Sequence, residues 1–241
     1  LVGARFGVVL AREDSVEVEV ATFRSDRSYR DGRHPERVEF ENDPRKDVER
    51  RDFTVNALML DPCTGELLDF VGGKKDLEQG IIRCVGEPEK RFTEDHLRML
   101  RAVRFAASLR TGDDRPFELE SHTFDAIRRL KSLIKNVSAE RIRDELSRIL
   151  TEGGARRGFE LLDTTSLLAE VLPEVAAMKG VPQPPEFHPE GDVWTHTMMM
   201  LERLEGPSVT LAWGVLLHDV GKPSTYRVAD RIRFDNHCEV G

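Results

Sequence analysis

Two side chains in TEDHLRMLRAVRFAASL, residues 93–109, could together read a nucleobase. Asp95 offers an acceptor-only carboxylate, and Arg98, one helical turn on, a guanidinium fork of five donors. On a helix they share a strip with Ala102 and Phe105, with Arg101 and Arg104 further round. That strip can present donors and acceptors to a base as another base would. The same spacing also describes an ordinary surface ion pair worth about a few tenths of a kcal/mol. A second set lies in DVERRDFTVNALML, where Arg50, Arg51, Asp52 and Asn56 suit a triphosphate and its ribose: guanidinium forks bind phosphate oxygens, and Asn both donates and accepts. A solvated charge run is the plainer reading of the Arg-Arg-Asp triplet alone. A third set is His196 in GDVWTHTMMMLERL with the adjacent His218 and Asp219 of LAWGVLLHDVGKP. Imidazoles and a carboxylate suit a divalent transition metal that activates water, although a lone helical histidine is more often structural. His237 in FDNHCEVG could add a ligand.

The elements that must position these groups follow from periodicity. Residues 93–109 read as one amphipathic helix, with Thr93 as cap, Glu94 and Asp95 in the first turn, and Met99, Val103, Ala106 and Ala107 as the core-facing stripe. Residues 6–10 and 16–22 read as strands joined by a polar turn at 12–15. In the second, Val16, Val18 and Val20 alternate with Glu17 and Glu19, giving one apolar face and one carboxylate face. Residues 24–47, with SYRDGRHP at their centre, read as a long loop. Phe53, Val55, Ala57 and Leu58 would anchor the Arg-Arg-Asp segment, and residues 61–76 hold a short strand between two turns. Helical spacing returns at 121–133, at 138–150 with Ser138 as cap and Ile142, Leu146 and Ile149 on one face, and at 159–172 after Gly153 and Gly154. Gly221 and Pro223 read as a helix stop.

Composition bounds the rest. The chain of 241 residues is 39% hydrophobic and 33% charged, enough for a real core divided among packed units. Its formal net charge of −8 does not advertise nucleic-acid binding, although a local basic surface can still bind phosphate. No apolar run approaches the ~20 residues of a membrane helix, and no secretory signal opens the chain. Cys63, Cys84 and Cys238 form no metal pattern, which fits a reducing, cytoplasmic setting.

Motifs in order carry a resemblance. EDHLRMLRAVRF matches Glu-Asp-x-x-Arg at Glu94, Asp95 and Arg98, and with RRDFTVNAL upstream it resembles the class II tRNA nucleotidyltransferases and bacterial poly(A) polymerases. His196 and the His218-Asp219 pair resemble the HD superfamily of metal-dependent phosphohydrolases. The resemblance implies an α+β chain: a partial nucleotidyltransferase palm over 1–83, a helical neck over 84–152, a helical body over 153–180 and an HD-type segment over 181–241. It implies that Asp95 and Arg98 pair with incoming ATP or CTP, that Arg101 and Arg104 complete the pocket, and that Arg50, Arg51, Asp52 and Asn56 hold the nucleotide. Glu19 would be a catalytic carboxylate that joins an Asp-x-Asp pair in holding Mg²⁺. That pair and its Gly-Gly turn are expected ahead of residue 1, since both chain ends look cut. Arg141, Arg143 and Arg148 could touch RNA phosphates or simply be solvated. The implied activity is template-independent addition of CMP and AMP to a tRNA 3′ end, with poly(A) synthesis as an alternative. A phosphohydrolase carrying a nucleotide-binding appendage and a non-catalytic RNA binder are the readings from other classes. The sequence leaves oligomeric state open.

Overall fold

A computed structural model of the chain describes residues 7–13, 16–29 and 35–241. It opens with an antiparallel hairpin of β1 (Val8–Glu13) and β2 (Val16–Ala21), in which Leu10 stands opposite Glu19. The first strand runs further than its apolar residues suggest, because ladder bonds need only backbone, and Arg12 and Glu13 join it. Residues 6, 14 and 15 of the expected strand and turn lie outside the described residues. The apolar face is uncovered: Val16, Val18 and Val20 are 60%, 52% and 55% exposed.

The expected loop over 24–47 is instead structured. It forms a second hairpin, β3 (Arg24–Tyr29) and β4 (Pro35–Phe40), then α1 (Pro44–Glu49). Residues 30–34 of SYRDGRHP lie outside the described residues. The strands are polar, so alternation does not betray them. The Asp43 carboxylate accepts the Arg45 N–H at 2.9 Å and Pro44 occupies the first turn, which together start α1. Phe53 and Ala57 are fully buried and anchor the Arg-Arg-Asp segment as expected, with Val55 and Leu58 half-buried. A short hairpin, β5 (Met59–Leu60) and β6 (Leu67–Leu68), leads to α2 (Gly73–Gln79), and β7 (Ile81–Ile82) pairs in parallel with β8 (Glu118–Leu119).

The expected helix over 93–109 is two helices, α3 (Pro88–Glu94) and α4 (Arg98–Ser108). The break falls at Asp95, whose backbone is extended (φ −144°, ψ 107°) and whose carboxylate accepts the Leu97 N–H at 3.1 Å. Asp is a poor helix-interior residue for this reason: its short side chain offers the backbone an alternative bond. Thr93 does not cap; its hydroxyl donates back to the Glu89 carbonyl within α3. The stripe of Met99, Val103, Ala106 and Ala107 is fully buried, as the period requires, and Ala102 is buried with it.

Around α4 pack α6 (Ala139–Thr151) and α7 (Ala155–Thr164), while α5 (Ser121–Leu130) packs on α3; the single turns α8 (Leu168–Val171) and α9 (Pro173–Ala176) follow. Ser138 precedes α6, but its side chain makes no capping bond. One apolar core runs from Phe53 through Met99, Ile149 and Phe159 to Met198 and Leu216. It therefore extends into α10 (Val193–Glu202) and α11 (Val209–Leu217). The closing elements are α12 (Lys222–Thr225), a hairpin of β9 (Tyr226–Val228) and β10 (Ile232–Phe234), and α13 (His237–Val240). Gly221 and Pro223 start α12 rather than stop α11, because proline's fixed φ suits a first helical turn. Among the described residues no helix is long and apolar enough to cross a membrane.

Gly154 fixes the close approach of α7 to α4. Its φ is +75°, and a Cβ there would lie 2.2 Å from the Ala107 carbonyl oxygen. Gly154→Ala is expected to destabilise the chain by about 2 kcal/mol or more, since left-handed strain adds to a backbone overlap. A urea titration read by circular dichroism measures it.

Candidate functional site

The neck and the Arg-Arg-Asp segment meet where α4 begins. The ion pair that the spacing of Asp95 and Arg98 also allowed is not formed. Each takes another partner, because the break at Asp95 turns its side chain away from the helical register. Asp95 receives Arg141 of α6 at 3.0 Å. Arg98 binds Glu94 at 3.0 Å and donates to the carbonyls of Arg91 at 3.1 Å and Arg50 at 2.9 Å. These bonds use three of its five N–H groups and tie the neck to the Arg-Arg-Asp segment. Glu94 is held in turn by Arg91 at 2.5 Å.

The other candidates form a chain of charges. Arg101 donates to Asp52 at 2.7 Å and lies 3.5 Å from Glu145. Burial opposes the charge on Arg101, but the Asp52 carboxylate outweighs it and raises the guanidinium pKa. Arg104 bridges Glu145 and Glu152, both at 2.8 Å, and lies over the Phe105 ring. Asp52 also accepts the Phe53 N–H and the Asn56 amide, at 2.9 and 3.2 Å. Arg50 and Arg51 converge on the buried Asp47, at 2.6 and 3.2 Å, and Arg51 reaches the Asn56 carbonyl at 2.9 Å. Arg50, Arg51, Asp52, Asn56, Arg98, Arg101 and Arg104 are thus linked through a shared set of carboxylates and carbonyls, while the Asp95 carboxylate pairs with Arg141. Sequence reasoning missed the roles of Asp47, Arg141 and Glu145. Arg143 and Arg148, also on α6, face Asp144 at 2.8 Å and Glu152 at 3.9 Å.

Glu19 stands apart. It lies on exposed β2 and belongs to neither of the two groups of His, Cys, Asp and Glu that are close enough to share an ion among the described residues. The described residues do not by themselves form a magnesium site.

Those two groups are in the last segment: His196, His218 and Asp219, and His188, Glu190 and His196, each with ligand atoms within 4.8 Å of one another. The Nδ1 atoms of all four histidines there are tied to acceptor-only partners. His218 binds the Val215 carbonyl at 2.8 Å and His237 the Phe234 carbonyl at 2.9 Å; His196 and His188 bind Glu190 at 2.6 and 3.0 Å. Such partners require the proton on Nδ1, which leaves Nε2 of a neutral ring as a lone pair. The His218 Nε2 then lies 3.1 Å from an Asp219 oxygen, and the His237 Nε2 3.8 Å from the other. The Asp219 oxygen that faces His218 also receives the Lys222 ammonium, and the set of imidazole nitrogens and a carboxylate fits a divalent transition metal. Burial raises the Asp219 carboxyl, yet bonds from His218 and Lys222 hold it below the usual carboxylate range, and Asp219 in turn raises His218. Lys222 is buried, 2.7 Å from both Asp219 and Gln183. The sequence had not flagged Lys222, although its spacing from Asp219 is one helical turn. Glu190's own N–H and the His188 and His196 imidazoles hold its carboxyl at about 2.

Residues 1–83 match the family described as Poly A polymerase head domain, and residues 116–179 match Probable RNA and SrmB- binding site of polymerase A. The chain is 39% identical over 206 residues to the CCA-adding enzyme of Lactobacillus helveticus, covering 83% of the chain and 49% of the relative. To the CCA-adding enzyme of Bacillus subtilis it is 41% identical over 170 residues, covering 70% and 41%. The fold matches the crystal structure of the Bacillus stearothermophilus CCA-adding enzyme in complex with CTP, with a TM-score of 0.70 and 28% identity, over 100% of this chain and 52% of that one. These findings support the tRNA nucleotidyltransferase family. The chain spans about half the length of the curated relatives it matches.

Proposed function

We propose that this chain is the nucleotide-selecting part of a cytoplasmic RNA 3′-end nucleotidyltransferase that adds CMP and AMP to tRNA. The observation that carries the reading is the placement of Asp95 and Arg98 at the break before α4, joined through Arg98 to the Arg50 carbonyl. Cytosine and adenine each carry an exocyclic amine donor beside a ring-nitrogen acceptor. A carboxylate beside an unused guanidinium N–H complements that edge; uracil and guanine reverse it. Arg141 keeps Asp95 in place from α6. Arg50 and Arg51 would meet the triphosphate, with Asn56 at the sugar, and Arg101 and Arg104, held by Asp52 and Glu145, would complete the pocket. Glu19 would lend one carboxylate to Mg²⁺, which when bound activates the RNA 3′ hydroxyl and eases departure of pyrophosphate. Relatives named as CCA-adding enzymes, one of them holding CTP, support the tRNA substrate and the nucleotide choice. The test is incubation of the intact protein with tRNA lacking its 3′ end and labelled CTP and ATP. Ordered C, C, A addition is expected. C-only, A-only or long A products would reassign the activity within the family, and no incorporation would overturn it.

A second reading concerns the last segment, where the four tied Nδ1 atoms favour an HD-type metal centre at His196, His218 and Asp219, with His237 beside them. A divalent transition metal bound there supplies an activated water for phosphoester hydrolysis. Hydrolysis of a 2′,3′-cyclic nucleotide to its ring-opened phosphate monoester, with added metal, tests it. Loss of that ring opening in His218→Ala is expected, and retention would contradict the assignment.

A further inference from the structure

We propose that Glu190, steadied by His188, is a positioning residue for His196: it accepts a hydrogen bond from Nδ1–H so that Nε2 is the nitrogen offered to a divalent transition metal. The inference rests on the second reading above and deepens it. One carboxylate oxygen of Glu190 receives both imidazoles, His196 at 2.6 Å and His188 at 3.0 Å. The rings of His188 and His196 meet edge to face, with centroids 4.9 Å apart, and those of His196 and His218 lie 5.5 Å apart. The three imidazoles therefore form a row, with Glu190 at one end and Asp219 at the other.

His218 and His237 have main-chain carbonyls to fix their tautomers. His196 sits inside α10, and its Nδ1 meets a side chain instead of a main-chain carbonyl. Glu190 supplies that acceptor from the loop just ahead of the α10 cap, Asp192. A free imidazole side chain favours the proton on Nε2, which would block that nitrogen as a ligand. A carboxylate on the far nitrogen reverses the preference and raises ligand basicity, and such partners are worth about 10–100-fold in metal affinity. His188 groups with Glu190 and His196 but not with His218 and Asp219, so its part is to hold the carboxylate.

The experiment uses the purified chain with Zn²⁺ alone, titrated against a chromophoric chelator, and ¹⁵N-imidazole NMR of the metal-free protein. Glu190→Ala is expected to weaken Zn²⁺ binding by about 10–100-fold. It should also move His196 from the Nδ1–H to the Nε2–H tautomer while His218, tied to a carbonyl, stays unchanged. Glu190→Gln keeps an acceptor oxygen and should recover most of the affinity and the tautomer. A merely structural glutamate would leave the His196 tautomer alone. Wild-type Zn²⁺ affinity and an unchanged His196 in Glu190→Ala would overturn the proposal. So would a His188→Ala variant that loses Zn²⁺ as fully as His218→Ala, since that makes His188 a ligand. No Zn²⁺ binding by the unsubstituted chain, or none lost in His218→Ala, would sink the metal reading itself and this role with it.

Discussion

Arg98→Ala in the intact protein is expected to cut incorporation of both CTP and ATP by about ten- to a hundredfold. Affinity for the RNA should stay within about threefold. The magnitude follows from charge-assisted hydrogen bonds worth about 1.5–3 kcal/mol each, which the base edge would lose. The structure adds a second consequence. Arg98 donates to the Arg50 and Arg91 carbonyls and to Glu94, so its loss also loosens the junction of α3 and α4 with the Arg-Arg-Asp segment. Selectivity separates the two effects. A base-reading Arg98 predicts that the preference for CTP and ATP over UTP and GTP collapses, and that Arg98→Lys, which keeps the charge but not the fork, rescues little. A uniform slowing with preference intact would make Arg98 a strut only. Steady-state incorporation with each of the four triphosphates decides between them.

The largest effect on stability is expected at Arg104. Its guanidinium lies between Glu145 and Glu152 and is itself buried, and Glu145 is only 5% exposed. Arg104→Met leaves the Glu145 carboxylate with Arg101 at 3.5 Å as its remaining cationic partner. Removing one member of a buried pair costs about 3–5 kcal/mol, because the other charge stays desolvated. Glu145→Gln added to that variant should return part of the loss, since neither charge is then stranded. Urea unfolding of the single and double variants measures both terms. A single-variant loss below about 1 kcal/mol would show that water reaches Glu145 and that the network is not buried in effect.

These two arginines also mark how far the sequence could be read. Residues 98–108 carry a helical period strong enough to place Met99, Val103, Ala106 and Ala107 in the core, and they are there. The conspicuous side chains Asp95, Arg98, His218 and Asp219 were visible because their types and spacing are unusual. Their partners were not. Asp95 meets Arg141 and Arg101 meets Asp52, pairs set by how α4 packs on α6 and on the Arg-Arg-Asp segment, and no local spacing encodes them. The break at Asp95 was missed for a related reason: helical period outvoted one residue whose side chain prefers to cap. The hairpin of β3 and β4 was hidden by polar residues, since backbone pairing leaves no hydrophobic alternation to count. Glu190 had a faint signal, an acid preceding His196 in a loop next to another histidine, but neighbourhood in sequence does not say which imidazole it holds.

The most direct test of the account is a crystal structure of the intact protein with CTP, and then with ATP, bound. The exocyclic amine of either base should lie within hydrogen-bond distance of the Asp95 carboxylate, and the ring nitrogen beside it should accept from Arg98. A base lodged elsewhere, with Asp95 still held only by Arg141 and Leu97, would contradict the claim that these two side chains choose the nucleotide.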